Sequence, residues 1–259
     1  MKKFIVIAAC SLMAYLIVPA EAEDKIGFSI GSDFYSKYVW RGQVITNGAA
    51  FQPSVTATYG KFTANVWGNV DMTNYAHGPY GDQSGEFTEY DLTLNYSNKL
   101  SEDSKIGYSV GTIHYHFPSF SNTDTTELYW GFNFDVPLKP AIKVYHGLGN
   151  ENGTYVNFSI GHTLEKVVTW SEKCYCDLQL GASLGWGSGT YNKDYWGVDE
   201  ARLNDLAFTL GLPICFPGNW TVKPCINYVM LVDGKIRDTD VYSKSSDYFF
   251  TGIGISKSF

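Results

Sequence analysis

The sequence predicts an all-β chain, a transmembrane antiparallel up-and-down β-barrel of about twelve strands. Three observations carry that expectation. Polar and apolar residues alternate with a period of two in segments of roughly ten residues, punctuated by Gly, Asn, Asp and Pro. Beyond residue 22 no run approaches the roughly 20 apolar residues that a spanning helix needs. The last alternating segment places Phe249, Thr251, Ile253 and Ile255 on one face with the terminal Phe259.

In chain order, residues 1–22 read as a secretory signal peptide. Lys2 and Lys3 form its basic start, Phe4 to Val18 its apolar stretch, and Pro19-Ala20-Glu21-Ala22 its small-residue cleavage site. Cys10, in Ile7-Ala8-Ala9-Cys10, superficially resembles a lipoprotein cleavage box, but too few apolar residues precede it. Residues 23–259 are then expected to form the barrel as one domain, with no linker dividing them.

The first strand is expected over 25–40, followed by 50–59 and 62–72. Phe51, Val55, Ala57 and Tyr59 oppose Gln52, Ser54, Thr56 and Thr58, and the Gly60-Lys61 pair reads as a hairpin turn. The remaining strands fall near 87–97, 105–117, 126–137, 140–148, 154–165, 174–187, 202–214, 220–232 and 247–259. Links near 41–49, 73–86, 118–125, 149–153, 188–201 and 233–246 are mostly long, whereas 60–61, 98–104 and 138–139 are short. The stretch 166–173 breaks that rule. Long loops at one end and short turns at the other put both termini on the periplasmic side of an outer-membrane barrel.

Alternation alone would also suit a soluble sandwich. Two features favour lipid: apolar rows run for whole strand lengths without a charge, and Tyr38, Trp40, Tyr59, Tyr96, Trp186 and Trp220 fall near strand ends, where aromatic girdles sit. Charged residues make up 17% of the chain, below the roughly 25% of soluble domains. Without Lys2, Lys3 and Glu21 there remain 17 basic and 25 acidic residues, a balance that excludes nucleic acid as a partner. The expected location is the bacterial outer membrane. Its lipid and the barrel-assembly machinery, reading the strand that ends on Phe259, are the expected partners; Lys257 departs from the apolar pattern of such strands.

The segment Ser32-Asp33-Phe34-Tyr35-Ser36-Lys37-Tyr38-Val39-Trp40-Arg41-Gly42 resembles the opening signature of the TorF-type porin family. Trp67-Gly68-Asn69-Val70 and Gly185-Trp186-Gly187-Ser188-Gly189 resemble later stretches of that family. The resemblance implies an outer-membrane barrel acting as a solute channel, and supplies neither a solute nor catalytic residues.

Strand parity turns Asp33, Lys37, Arg41, Asp71, Glu89, Asp91, Glu127, Asp135 and Lys143 towards the lumen as pore-lining candidates. Arg41 either selects solutes at the outer mouth or pins the corner by pairing with an acid such as Asp71 or Glu89. Bulky Tyr35, Trp67, Tyr129 and Tyr145 are placed to narrow the bore. The acidic excess suggests mild cation preference. Cys215 and Cys225 flank a turn and are the preferred disulfide, with Cys174 and Cys176 as the other candidates. His114 and His116 share a face without a third ligand, and no Ser-His pair is evident for catalysis, His116 with Ser119 being the nearest approach. The expected function is therefore passive passage of small hydrophilic solutes, without metal or cofactor. A plugged structural or adhesive barrel and an outer-membrane lipid hydrolase are the alternatives.

Overall fold

The computed structural model describes residues 26–73, 84–118, 123–149 and 152–259; the leader expected over 1–22 lies outside them. Its strands begin with β1 (Ile26–Tyr35), β2 (Tyr38–Trp40), β3 (Gln43–Thr46), β4 (Ala50–Tyr59), β5 (Phe62–Asp71) and β6 (Phe87–Lys99). They continue with β7 (Ile106–His116), β8 (Thr125–Phe134), β9 (Ala141–Leu148), β10 (Thr154–Ser171) and β11 (Cys174–Gly187). Helix α1 (Gly189–Trp196) precedes β12 (Arg202–Gly211), β13 (Ile214–Phe216) and β14 (Trp220–Leu231); α2 (Gly234–Arg237) precedes β15 (Asp247–Ser258). None of the described helices is long and apolar enough to cross a membrane.

All strands except β2 and β3 join one antiparallel sheet that closes through β1 and β15, with Ser29 opposite Ser258 and Tyr35 opposite Gly252. β13 continues β12 beyond Leu212-Pro213, where proline interrupts the ladder for want of an N–H. The wall therefore has twelve strands, as the alternation predicted. Closure removes every sheet edge, so the backbone is satisfied internally while apolar side chains face outward. Phe28, Ile30, Val55, Leu92, Leu94, Trp130, Phe132, Phe158, Ile160 and Ile253 are all exposed on that outer surface. An apolar belt of this extent is unstable in water and matches hydrocarbon. At the short-turn rim, the Lys257 ammonium lies 5.1 Å from the Trp220 ring centroid and 4.7 Å from that of Phe259. Its stem covers aromatic surface while its charge reaches the rim, so lysine fits the terminal strand.

Three sequence expectations need correction. β1 ends at Tyr35, not at residue 40; the chain turns inward and forms a separate hairpin, β2–β3, inside the outer mouth. Tyr38 and Trp40 accordingly point into the barrel, not to the lipid girdle: Tyr38 is buried, and its ring lies 5.7 Å from lumenal Trp67. Second, the apparent long link at 166–173 is strand. β10 runs on to Ser171, and only 172–173 turn. Lys166 adopts φ 51° in a bulge, and its N–H donates to the Asp177 carboxylate at 2.6 Å, so the alternation slips there.

The third concerns cysteine. Cys215 sits opposite Thr221, whereas Cys225 sits opposite Gly211 and Gly252. Four residues of strand separate the two rungs, about 13 Å at ~3.3 Å per residue, against a Cα limit of roughly 7 Å for a disulfide. Cys174 faces Ser171, and Cys176 faces Val168 and Ile214. No disulfide occurs among the described residues. Thiol titration of the denatured, unreduced barrel segment is therefore expected to count Cys174, Cys176, Cys215 and Cys225 alike, and reductant to leave its thermal transition in place. Loss of two thiols from the count would restore the 215–225 bridge.

Candidate functional site at the outer mouth

The inward hairpin is built by its own turn. Trp40 pairs with Gln43, leaving Arg41-Gly42 as a two-residue loop with φ of 48° and 82°. Positive φ at both positions belongs to the type I′ turn that matches strand twist. Glycine is required at the second: a Cβ there would lie 2.6 Å from Leu231 Cδ2 and 3.0 Å from Asp205 Cβ. The tip thus abuts β12 and β14. Val39 and Val44 pack into an apolar cluster with Tyr35, Ala207, Val229, Tyr248 and Phe250 inside the wall. Each buried valine stabilises the docked hairpin by about 1.5–3 kcal/mol.

Arg41 reaches the other way. Its Nη1 and Nη2 donate to Oε1 and Oε2 of Glu127 on β8, both at 2.7 Å, and Tyr115 Oη donates to Glu127 Oε2 at 2.8 Å. Glu127 is thus the acid that holds Arg41, in place of the expected Asp71 or Glu89. Three rings cover the guanidinium, with centroids at 4.3 Å (Trp40), 4.4 Å (Tyr145) and 4.4 Å (Tyr155). The pair is planar, bidentate and shielded, with side-chain exposures of 8% and 6%. Tyr155 Oη in turn donates to Asp205 at 2.8 Å, and Gln43 Nε2 donates to Tyr191 Oη at 3.4 Å.

Ring contacts continue from Tyr129 through Tyr145, Tyr155, Tyr191 and Tyr195 to Trp40 and Tyr115, at centroid separations of 4.5–6.2 Å. This aromatic belt joins the hairpin and α1 to the inner face of the wall. Of the four bulky residues placed to narrow the bore, Tyr35 and Tyr129 are buried, Trp67 packs against Tyr38, and Tyr145 packs against Tyr129. Tyr115, Tyr155, Tyr191 and Tyr195 were not singled out from sequence. Two of them ride on α1, whose Ser188 N-cap accepts from Tyr191 N–H and whose Gly197 closes in the left-handed conformation.

Among the other pore-lining candidates, Asp33, Asp71, Glu89 and Lys143 are buried inside the wall, and Asp91 is partly so. Lys143 lies 4.3 Å from the Tyr129 ring centroid. Lys37 and Asp135 do not line the pore. Lys37 lies in the link before the hairpin, bonded to Asn47, because β1 has already ended. Asp135 lies past the end of β8 in an exposed turn. Three of the described histidines bond neighbouring side chains: His114 to Thr126 at 3.0 Å, His146 to Thr154 at 2.9 Å and His116 to Asp124 at 2.8 Å. At the end of β7, the His116 ring and the Phe117 N–H hold the Asp124 carboxyl below the usual carboxylate range. Ser119 lies outside the described residues.

Above the belt a cleft of about 220 Å³ opens between the hairpin, the β6–β8 wall and the outer loops. Glu89 and Tyr38 line it together with Trp40, Tyr115, Tyr195 and Tyr242.

No protein-family model and no curated protein matches the chain. Solved structures do. The KdgM porin, in complex with disordered oligogalacturonate, superposes with a TM-score of 0.52 at 12% identity, covering 90% of this chain and 99% of that one. The NanC porin gives 0.52 at 12% identity, with 89% and 98% covered. The COG4313 outer-membrane channel from Pseudomonas putida F1 gives 0.51 at 11%, with 93% and 98% covered. At these identities the likeness is one of fold alone.

Proposed function

We infer that this chain is a porin-like outer-membrane channel, kept narrow by a hairpin folded into its outer mouth. The observation that carries this reading is a closed barrel, apolar outside and charged inside, whose constriction is a separately folded insert. A purely structural barrel could fill its lumen with wall side chains alone, as eight-stranded barrels do. Here the chain adds to its twelve-stranded wall a β2–β3 insert, whose Val39 and Val44 pack inside it, and the helix α1, whose Tyr191 is buried. The segment that resembles the TorF-type signature is the one that makes the plug, Ser32–Tyr35 on β1 and Tyr38–Gly42 in the hairpin. That resemblance, and the porin fold, support a role in passing small hydrophilic solutes. Phe259, whose ring lies 5.9 Å from that of Phe28 at the short-turn rim, is the residue offered to assembly machinery.

Lumenal charge sets the expected selectivity. Arg41 and Glu127 cancel, which leaves Asp33, Asp71, Glu89, Asp91 and Asp205 against Lys143 and Lys223. Planar bilayers bridging a salt gradient should therefore record small conductance steps and a reversal potential displaced towards that of the cation. Clear anion preference would contradict this charge balance. Silence from the native barrel and from variants with a loosened hairpin would favour the plugged structural barrel instead.

A further inference from the structure

We propose that the cleft above the hairpin is a binding site for a small organic cation of the quaternary-ammonium type. Its walls are the first reason. Trp40 stands 6.0 Å from Tyr115 at 72° and 5.6 Å from Tyr195 at 59°, so three ring planes meet steeply around one corner. Tyr242 closes the outer side, held by an edge contact of 5.1 Å and 75° with Trp196 of α1. Rings set at steep angles present several π faces to one point, the arrangement that desolvates and holds an alkylated ammonium. The volume, about 220 Å³, leaves room for one small molecule.

Charge is the second reason. Glu89 lines the cleft with Asp91 two residues along the same strand, and no Lys or Arg is among the described lining residues. The nearest guanidinium, that of Arg41, is engaged with both oxygens of Glu127 beyond the Trp40 ring. An anion would meet a carboxylate and no counter-charge. A sugar would need several directed hydrogen-bond partners, yet the Gln43 amide is already given to Tyr191 and the Tyr38 hydroxyl to Glu89. A cation needs aromatic surface and an acidic group, and the lining supplies Trp40, Tyr115, Tyr195 and Tyr242 with Glu89.

Binding is independent of conduction, so it can be read on the folded barrel in a non-ionic, sugar-based detergent. The probes are choline, its uncharged isostere 3,3-dimethylbutan-1-ol, phosphocholine and glucose, followed by calorimetry and tryptophan fluorescence. Choline should bind, and the isostere should bind at least about tenfold more weakly, a gap of ~1.4 kcal/mol. Glu89→Gln and Tyr195→Leu should each weaken choline by about tenfold or more, with the heat-dependent gel shift of the barrel confirming that each variant is folded. If either variant fails to fold, the choline-to-isostere ratio on the unaltered protein decides alone. Equal binding of the isostere, or tighter binding of glucose, would overturn the proposal. Tighter binding of phosphocholine than choline would assign the cleft to a zwitterionic headgroup and overturn it equally.

Discussion

Replacing Glu127 with Leu should destabilise the barrel by about 3–5 kcal/mol and raise its single-channel conductance severalfold, because it leaves the Arg41 guanidinium buried without a partner. Arg41→Leu should cost a similar amount, since it strands the carboxylate together with the Tyr115 hydroxyl that donates to it. The double variant should recover most of that stability: two charges are removed together, and leucine suits a space already walled by Trp40, Tyr145 and Tyr155. Conductance should behave differently. It should stay raised in the double variant, because the arm that spans the lumen from the hairpin to β8 is gone in either background. The hairpin itself is not expected to leave, since Val39 and Val44 remain docked against Val229 and Phe250. Denaturant midpoints in detergent and bilayer recordings separate these two effects. Equal conductance in all four proteins would mean that the Arg41 arm does not limit the pore.

The wall was legible in the sequence because each strand alternates against a uniform environment on each side. Lipid demands an apolar row, and the lumen accepts everything else. Phe158 and Ile160 face out and Tyr155 faces in, as their parity requires. The hairpin was not legible by the same rule. Tyr38-Val39-Trp40 continues the period of β1, so alternation extends the strand through a place where the chain turns inward. The signal that could have separated them was the Arg41-Gly42 pair, a two-residue turn flanked by Val39 and Val44. The site shows the same division. Glu127 was readable as a lumenal acid, but its partner depends on which side chains cross the bore. Arg41 meets Glu127 from five strands away around the wall, a distance that no spacing in the sequence encodes. α1 was hidden because a helix of eight residues in a loop has too few turns to show a period, although Ser188 and Gly197 mark its ends.

Gly185→Val should be as damaging as the loss of Glu127, although residue 185 carries no side chain to lose. Gly185 lies on the lumenal face of β11, beneath the point where Tyr155 meets Asp205. A Cβ there would stand 2.2 Å from Asp205 Oδ1 and 2.3 Å from Tyr155 Oη. Both atoms belong to side chains rooted in neighbouring wall strands, so neither can move without breaking the 2.8 Å bond between them. The expected cost is about 2.5–6 kcal/mol, combining a hydrogen bond to a carboxylate at ~1.5–3 kcal/mol with overpacking at ~1–3 kcal/mol. The consequence for the plug follows from the same geometry. Tyr155 lies 4.4 Å from Arg41, and displacing it uncovers one face of the guanidinium to water. Tyr155→Phe isolates the terms: it keeps the ring over Arg41, and removes only the hydroxyl that Asp205 accepts from. Its loss should be the smaller, with conductance near that of the native barrel, whereas Gly185→Val should fold in lower yield and conduct more. If Tyr155→Phe matched Gly185→Val in both stability and conductance, the hydrogen bond alone would hold the constriction and the ring over Arg41 would be incidental.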